Sequence, residues 1–224
     1  MRLLSVFEVP SVALWLCPLG LMPKADQLAW LSDDEHCRAE LFVFERDRRR
    51  YLAARCAMRE CLSVATGLAP GTLQIVADAF EKPYLANVRG CYFNLSRRED
   101  WALLGISRDA EIGVDVEVRH VVDAVTMLAR AHFSTDEFNS FLALESPERD
   151  DAFLRVWTRK EACLKAVGTG LRVPPATLEV GLGEGVVQLS IPLDTGPACV
   201  TVQTVDVGLG YVAAVARVKC QEVV

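Results

Sequence analysis

Residues 160–171 read KEACLKAVGTGL, and residues 59–68 read RECLSVATGL. Each places Cys-Leu inside a helical pattern that runs out at Thr-Gly-Leu, and each is followed by strand-like segments. This echo predicts an α+β fold made of two similar halves in a pseudo-twofold pair. Each half would carry a helix packed on a mainly antiparallel sheet, with the ligand site in the crevice between the halves. A boundary in RDAE (108–111) gives halves 1–109 and 110–224.

The periodicity fills in both halves. Strands are expected at 11–17, in LQIVADAF (73–80), in CYFNLS (91–96) and in WALLGIS (101–107), with a turn at 97–100. Residues 24–43 read as mixed helix and loop, and a helix runs from about Asp47 to Ala65 before Thr66-Gly67 and Pro70. In the second half a strand covers 112–118, and helices cover 121–131, 135–145 and 150–167, the last ended by Gly168 and Gly170. Strands follow near 177–181, 185–191, 198–205 and 209–218.

The chain has 224 residues, enough for a sizeable core. A net charge of −6 and a pI of about 5.2 exclude a broadly basic nucleic-acid surface, while leaving local basic patches open. The eight cysteines form no CxxC pair and several lie in apolar patterns, as buried reduced thiols do in a cytoplasmic protein. Glu8 and Pro10 interrupt the apolar N-terminus, and no stretch approaches the ~20 apolar residues of a membrane span.

Chemistry is concentrated in three places. In IGVDVEV (112–118) apolar and polar residues alternate, so Asp115 and Glu117 share a face, with Cα atoms roughly 6.5 Å apart. Val114, Val116 and Val118 would then anchor the strand in the core. A solvated strand face is the plain alternative, since such alternation is common. In the helix at 150–167, Phe153, Leu154, Trp157 and Leu164 form an apolar stripe, with Glu161 on its margin and Lys165 one turn on. Lys160 flanks the stripe and Arg159 points away from it; Glu161 with Lys165 also reads as a surface ion pair. Three carboxylates make an oxygen-rich set suited to Mg²⁺, which is held by few carboxylates together with substrate phosphates. The first half supplies six arginines in FERDRRRYLAARCAMR (44–59), with Lys82, Arg97 and Arg98 beyond, and arginine suits phosphate. Arg48, Arg49 and Arg55 read as a solvated helix face.

GVDVE followed some forty residues later by WTRKEACLKAVGTGL resembles the 4′-phosphopantetheinyl transferase superfamily, whose pattern is G-[IV]-D-[IV]-E and then W-x-x-K-E-[AS]-x-x-K-x-x-G-x-G-[LF]. The upstream KP…FNLS block and Asp47, Arg50 and Arg59 are similar to the Sfp-type branch, a monomer with two similar halves. The resemblance spans about residues 44–172. It implies Mg²⁺-dependent transfer of the phosphopantetheine arm of coenzyme A to a serine on an apo acyl or peptidyl carrier protein. By the same resemblance Asp115, Glu117 and Glu161 are metal ligands, and Glu161 and Lys165 are catalytic. Arg50, Lys82, Ser96, Arg97, Lys160 and Lys165 are coenzyme A contacts.

The chain departs from the family at NLSRR (94–98), where the family reads NLSHS; Arg97 replaces a histidine that contacts the coenzyme A 3′-phosphate. His132, in AHFSTDEF (131–138), is expected to be structural. Two other activities fit part of the pattern: a Mg²⁺-dependent nucleotide phosphohydrolase, and a silent module that binds coenzyme A or a carrier.

Overall fold

The computed structural model describes residues 2–5, 12–208 and 210–219. Two compact units divide it, Met1–Arg108 and Asp109–Val224. The first contains β1 (Arg2–Ser5), β2 (Val12–Pro18), α1 (Ala25–Leu28), α2 (Asp33–Glu40), α3 (Glu45–Thr66), β3 (Ile75–Ala77), β4 (Pro83–Leu85), β5 (Tyr92–Arg98) and β6 (Trp101–Ser107). The second contains β7 (Ile112–Val118), α4 (Val125–His132), α5 (Thr135–Leu142), α6 (Ser146–Val167), β8 (Val187–Ile191), β9 (Ala198–Val205) and β10 (Tyr211–Val218). The fold is α+β.

Every strand pairing among the described residues is antiparallel. The first unit's main sheet runs β1-β2-β6-β5 and the second's runs β7-β10-β9-β8, with β3-β4 as a separate hairpin. Within these, β2-β6-β5 and β7-β10-β9 follow one plan: the strand before the long helix pairs with the last strand, which pairs with the one before it. The long helices, α3 and α6, have 22 residues each. Each ends at a glycine in the left-handed region, Gly67 at φ 77° and Gly168 at φ 72°, whose N–H caps a carbonyl one turn back. Only glycine takes that conformation without a steric cost. The pairs of similar elements match the two α+β halves expected from the echo.

Each unit has its own apolar core. In the first, Met58, Cys61 and Leu62 of α3 meet Cys17, Phe93 and Leu104. In the second, Val156, Cys163 and Leu164 of α6 meet Phe133, Phe141, Val200 and Ala214. Cys17, Cys56, Cys61, Cys91 and Cys163 are buried, whereas Cys37 is exposed and Cys199 half-buried. Cys220, and the starts of the strands expected at 11–17 and 209–218, lie outside the described residues.

Some local expectations are corrected. Residues 177–181 form no strand: Leu178 follows a 3-10 turn at Pro175–Thr177, and Val180 and Gly181 donate their N–H groups to Glu137 Oε1 at 2.7 and 3.1 Å. Their amides are satisfied by a side chain, so they need no ladder partner. Strand pairing in LQIVADAF stops at Ala77, because Asp78 Oδ1 accepts the N–H groups of Phe80 and Lys82 and closes a turn. The helix expected at 121–131 is Val125–His132, and the mixed region at 24–43 resolves into α1 and α2.

Candidate active site

In the second unit the site begins with a glycine. Gly113, Asp115 and Glu117 share one face of β7. A Cβ on Gly113 would lie 2.1 Å from the Ala162 carbonyl oxygen and 2.3 Å from the Ala166 nitrogen. Its absence lets the α6 backbone rest directly on the strand. That approach sets Lys165 Nζ 2.5 Å from Asp115 Oδ1. Asp115 is 4% exposed, so the charge pair is held in place by the packing around it. Glu161, one turn before Lys165, is half-buried. Loss of water pushes its carboxyl above the ordinary value; Lys165 pulls it down, and the Asp115 carboxylate pushes it up.

Val114 and Val116 are buried, as expected of the core face of β7, while Val118 is half-buried. The acid-bearing face packs against α6, and the opposite face, with Ile112, Val114 and Val116, is buried too. Glu117 lies farther along, half-buried and opposite Val212. Among the described residues no three of His, Cys, Asp and Glu stand close enough together to hold a metal ion. Asp115 and Glu161 are within electrostatic reach of each other, with Lys165 neutralising part of their charge.

Two other basic residues of α6 are structural. Lys160, expected to hold phosphate, is fully buried: its Nζ bonds Glu137 Oε2 at 2.6 Å and the carbonyls of Pro175 and Leu178 at 2.9 and 2.6 Å. Three partners use its three donors, so it is not a phosphate ligand. Arg159, expected to point away from the apolar stripe, is buried as well and donates to the carbonyls of Gly183, Gly185 and Val202. Trp157 packs on the rings of His132 and Phe153, 5.0 and 6.4 Å between centroids. His132 is thereby a packing residue.

The first unit holds a cavity of 470 Å³ lined by Arg38, Arg55, Arg97, Tyr51 and Glu35 among others. The Arg97 guanidinium lies 5.8 Å from the Tyr51 ring centroid. Its pKa is lowered, first by loss of water and then by the charges of Arg55 and Arg38, with Tyr51 opposing. Like charges gathered around a cavity are relieved by an anion. Arg55 lies beside Glu35, to which its Nε donates, and is only 19% exposed. It is therefore not part of a solvated helix face.

Of the predicted first-unit residues, Arg97 alone lines this cavity. Arg50 Nε bonds Asp100 Oδ1 at 2.8 Å, Lys82 stands at the Asp78 turn, and Ser96 is buried in β5. Arg38, Arg55 and Tyr51 were missed. A signal was present: Ser32 and Glu35 form a capping box that starts α2 and sets Arg38 one turn on.

Both units match known families. A family model described as "4'-phosphopantetheinyl transferase, N-terminal" matches residues 24–108, and one described as "4'-phosphopantetheinyl transferase superfamily" matches residues 111–216. The 4'-phosphopantetheinyl transferase HetI of Nostoc is 34% identical over 167 residues, 72% of this chain and 70% of HetI. A putative 4'-phosphopantetheinyl transferase of Synechocystis is 32% identical over 165 residues, 73% of this chain and 67% of the relative. Sfp of Bacillus subtilis is 25% identical over 199 residues, 88% of this chain and 87% of Sfp. Matched through both units and above 30% identity to curated relatives, the chain belongs to the 4′-phosphopantetheinyl transferase superfamily.

Proposed function

We propose that the protein transfers the phosphopantetheine arm of coenzyme A to a serine of an apo acyl or peptidyl carrier protein, releasing adenosine 3′,5′-bisphosphate. The observation that carries this reading is the meeting of Asp115, Glu161 and Lys165 where α6 rests on Gly113. Glu161 accepts the proton of the carrier serine hydroxyl as that oxygen attacks the pantetheine-bearing phosphorus. A glutamate made more basic by burial suits this task near neutral pH. Lys165 donates to the oxygen of the departing phosphate as its charge grows.

Asp115, Glu117 and Glu161 would hold Mg²⁺ once their side chains turn toward one another, since in this structure the three do not stand close enough to share an ion. Their carboxylate oxygens fit a hard cation, and the Asp115–Glu161 repulsion is of the kind a cation relieves. When bound, the ion supplies charge neutralisation on the pyrophosphate. In the first unit Arg97, joined by Arg38 and Arg55, receives the 3′-phosphate, and Arg50, Lys82 and Ser96 serve the rest of the nucleotide. Arg50 then leaves or shares its pair with Asp100. The protein works as a cytoplasmic monomer without nucleic acid, and no described helix is long and apolar enough to cross a membrane.

Incubation with coenzyme A, Mg²⁺ and an apo carrier protein tests the reading. The expected outcome is a carrier heavier by one phosphopantetheine, with product lost when Mg²⁺ is chelated. Released nucleotide with an unmodified carrier would instead support a phosphohydrolase, and binding without either product would sink the transferase.

A further inference from the structure

Glu35 and Glu137 occupy equivalent places in the two units. Each is the third residue of a helix whose first turn is capped by a serine, Ser32 for α2 and Ser134 for α5. In each, Oε2 accepts the N–H of that serine at 2.9 Å. The same oxygen binds a buried cation on the long helix: Arg59 Nη2 at 2.7 Å in the first unit, Lys160 Nζ at 2.6 Å in the second. Each cation also bonds two carbonyls around a proline-led turn, Pro70 and Leu73 or Pro175 and Leu178. When α3 and α6 are aligned on their terminal glycines, Arg59 falls on Lys160. The carboxylate–cation clamp is thus a repeated structural device.

The second oxygen separates the two. Glu137 Oε1 accepts two backbone N–H groups, those of Val180 and Gly181. Glu35 Oε1 instead accepts Arg55 Nε. In the same alignment Arg55 falls on Val156, which is fully buried, so the second unit has no cation there. The first unit has therefore put an arginine where the repeat has an apolar residue, and has turned the free half of a structural carboxylate to hold it. That arginine lines the cavity that Arg38 and Arg97 also line.

We propose that Glu35 is a positioning residue that fixes Arg55 at the cavity wall, so that the three-arginine cavity discriminates a nucleotide bearing a phosphate monoester on its ribose from one lacking it. The proposal rests on reading the cavity as the 3′-phosphate subsite. With Nε engaged by Glu35 and Nη1 against Met58 Sδ at 3.8 Å, the Arg55 guanidinium is held in a fixed orientation at the cavity wall, and a phosphate would meet it by displacing only the weak sulfur contact. Asp34 and Glu81 also line the cavity, but both are exposed.

The test compares adenosine 3′,5′-bisphosphate with adenosine 5′-monophosphate by calorimetry on the full chain, and coenzyme A with dephospho-coenzyme A in steady-state kinetics. Arg55→Met leaves the Glu35–Arg59 clamp whole and is expected to weaken bisphosphate binding about tenfold or more, the equivalent of one charged hydrogen bond. Monophosphate affinity should stay near wild type, and KM should rise for coenzyme A with little change in kcat. Glu35→Gln should reproduce this loss of discrimination, and the double variant should discriminate no worse than Arg55→Met. Additive losses in the double variant, or a Glu35→Gln protein that weakens both nucleotides equally, would overturn the positioning role. Should Glu35→Gln not fold, unaltered discrimination in Arg55→Met overturns it alone. Arg97→Ala and Arg38→Ala separate the two readings. If they abolish discrimination while Arg55→Met does not, the subsite stands and the Glu35 role fails; if all are without effect, the subsite reading itself fails.

Discussion

At Glu161 the interests of folding and of chemistry conflict. Its carboxyl is raised by loss of water, offset by Lys165 and reinforced by Asp115. A carboxyl raised in the folded state favours the fold in its protonated form, so its charged form opposes folding at neutral pH. Glu161→Gln keeps the shape and removes that charge. The variant should lose transfer by roughly 10²- to 10⁴-fold, the usual contribution of a general base. Its melting temperature should equal or exceed that of the wild type, as calorimetry would show. A clear fall in melting temperature with activity retained would mean that Glu161 is a packing residue. That Glu161 and Lys165 stand one turn apart was legible from spacing alone, whereas the bond from Lys165 to Asp115 was not. The opposite fates of Lys160 and Lys165 were not, because α6 is buried on more than one side. Once a helix has no single wet face, its periodicity cannot tell a snorkelling lysine from one clamped in the core.

At the level of elements, the closeness of α6 to β7 decides whether Asp115 and Lys165 meet. A methyl group at residue 113 would collide with backbone atoms of Ala162 and Ala166, which cannot rotate away. Gly113→Ala should therefore cost at least the ~1–3 kcal/mol typical of overpacking, measured by urea unfolding. Its kcat should fall as well, because the helix must lift and carry Lys165 away from Asp115. Unchanged stability and turnover would show that the close approach is dispensable. The strands and long helices were readable because their periods and glycine stops are local. The segment at 177–181 was not, because its amide partners belong to Glu137, some 40 residues earlier in the chain. Arg38 and Arg55 escaped for a related reason: only the capping box at Ser32, read together with α3, brings them to one cavity.

Across the whole molecule, the two units share a strand plan, a 22-residue helix and a carboxylate–cation clamp. Lys160→Met and Arg59→Met should therefore both destabilise, Lys160→Met the more, since Glu137 then loses its cation whereas Glu35 keeps Arg55. Losing one partner of such a pair costs about 3–5 kcal/mol. Urea unfolding should register that loss in both variants. A folded Lys160→Met enzyme of normal stability whose KM for coenzyme A has risen would restore Lys160 as a phosphate ligand. The echo at 59–68 and 160–171 was a faint trace of this repetition; the glutamates that complete each clamp lie outside both segments, in the S-x-D-E stretches at 32–35 and 134–137, which read as ordinary helix starts and do not by themselves point to a distant cation. Because each unit closes its own core around its own clamp, its decisive contacts all lie within about 110 residues of one another. Self-contained cores of that size can fold in sequence during synthesis, the first before the second has left the ribosome. Denaturation of such a chain need not be a single two-state step, so a destabilised variant is best assigned to one unit by a probe that lies within it.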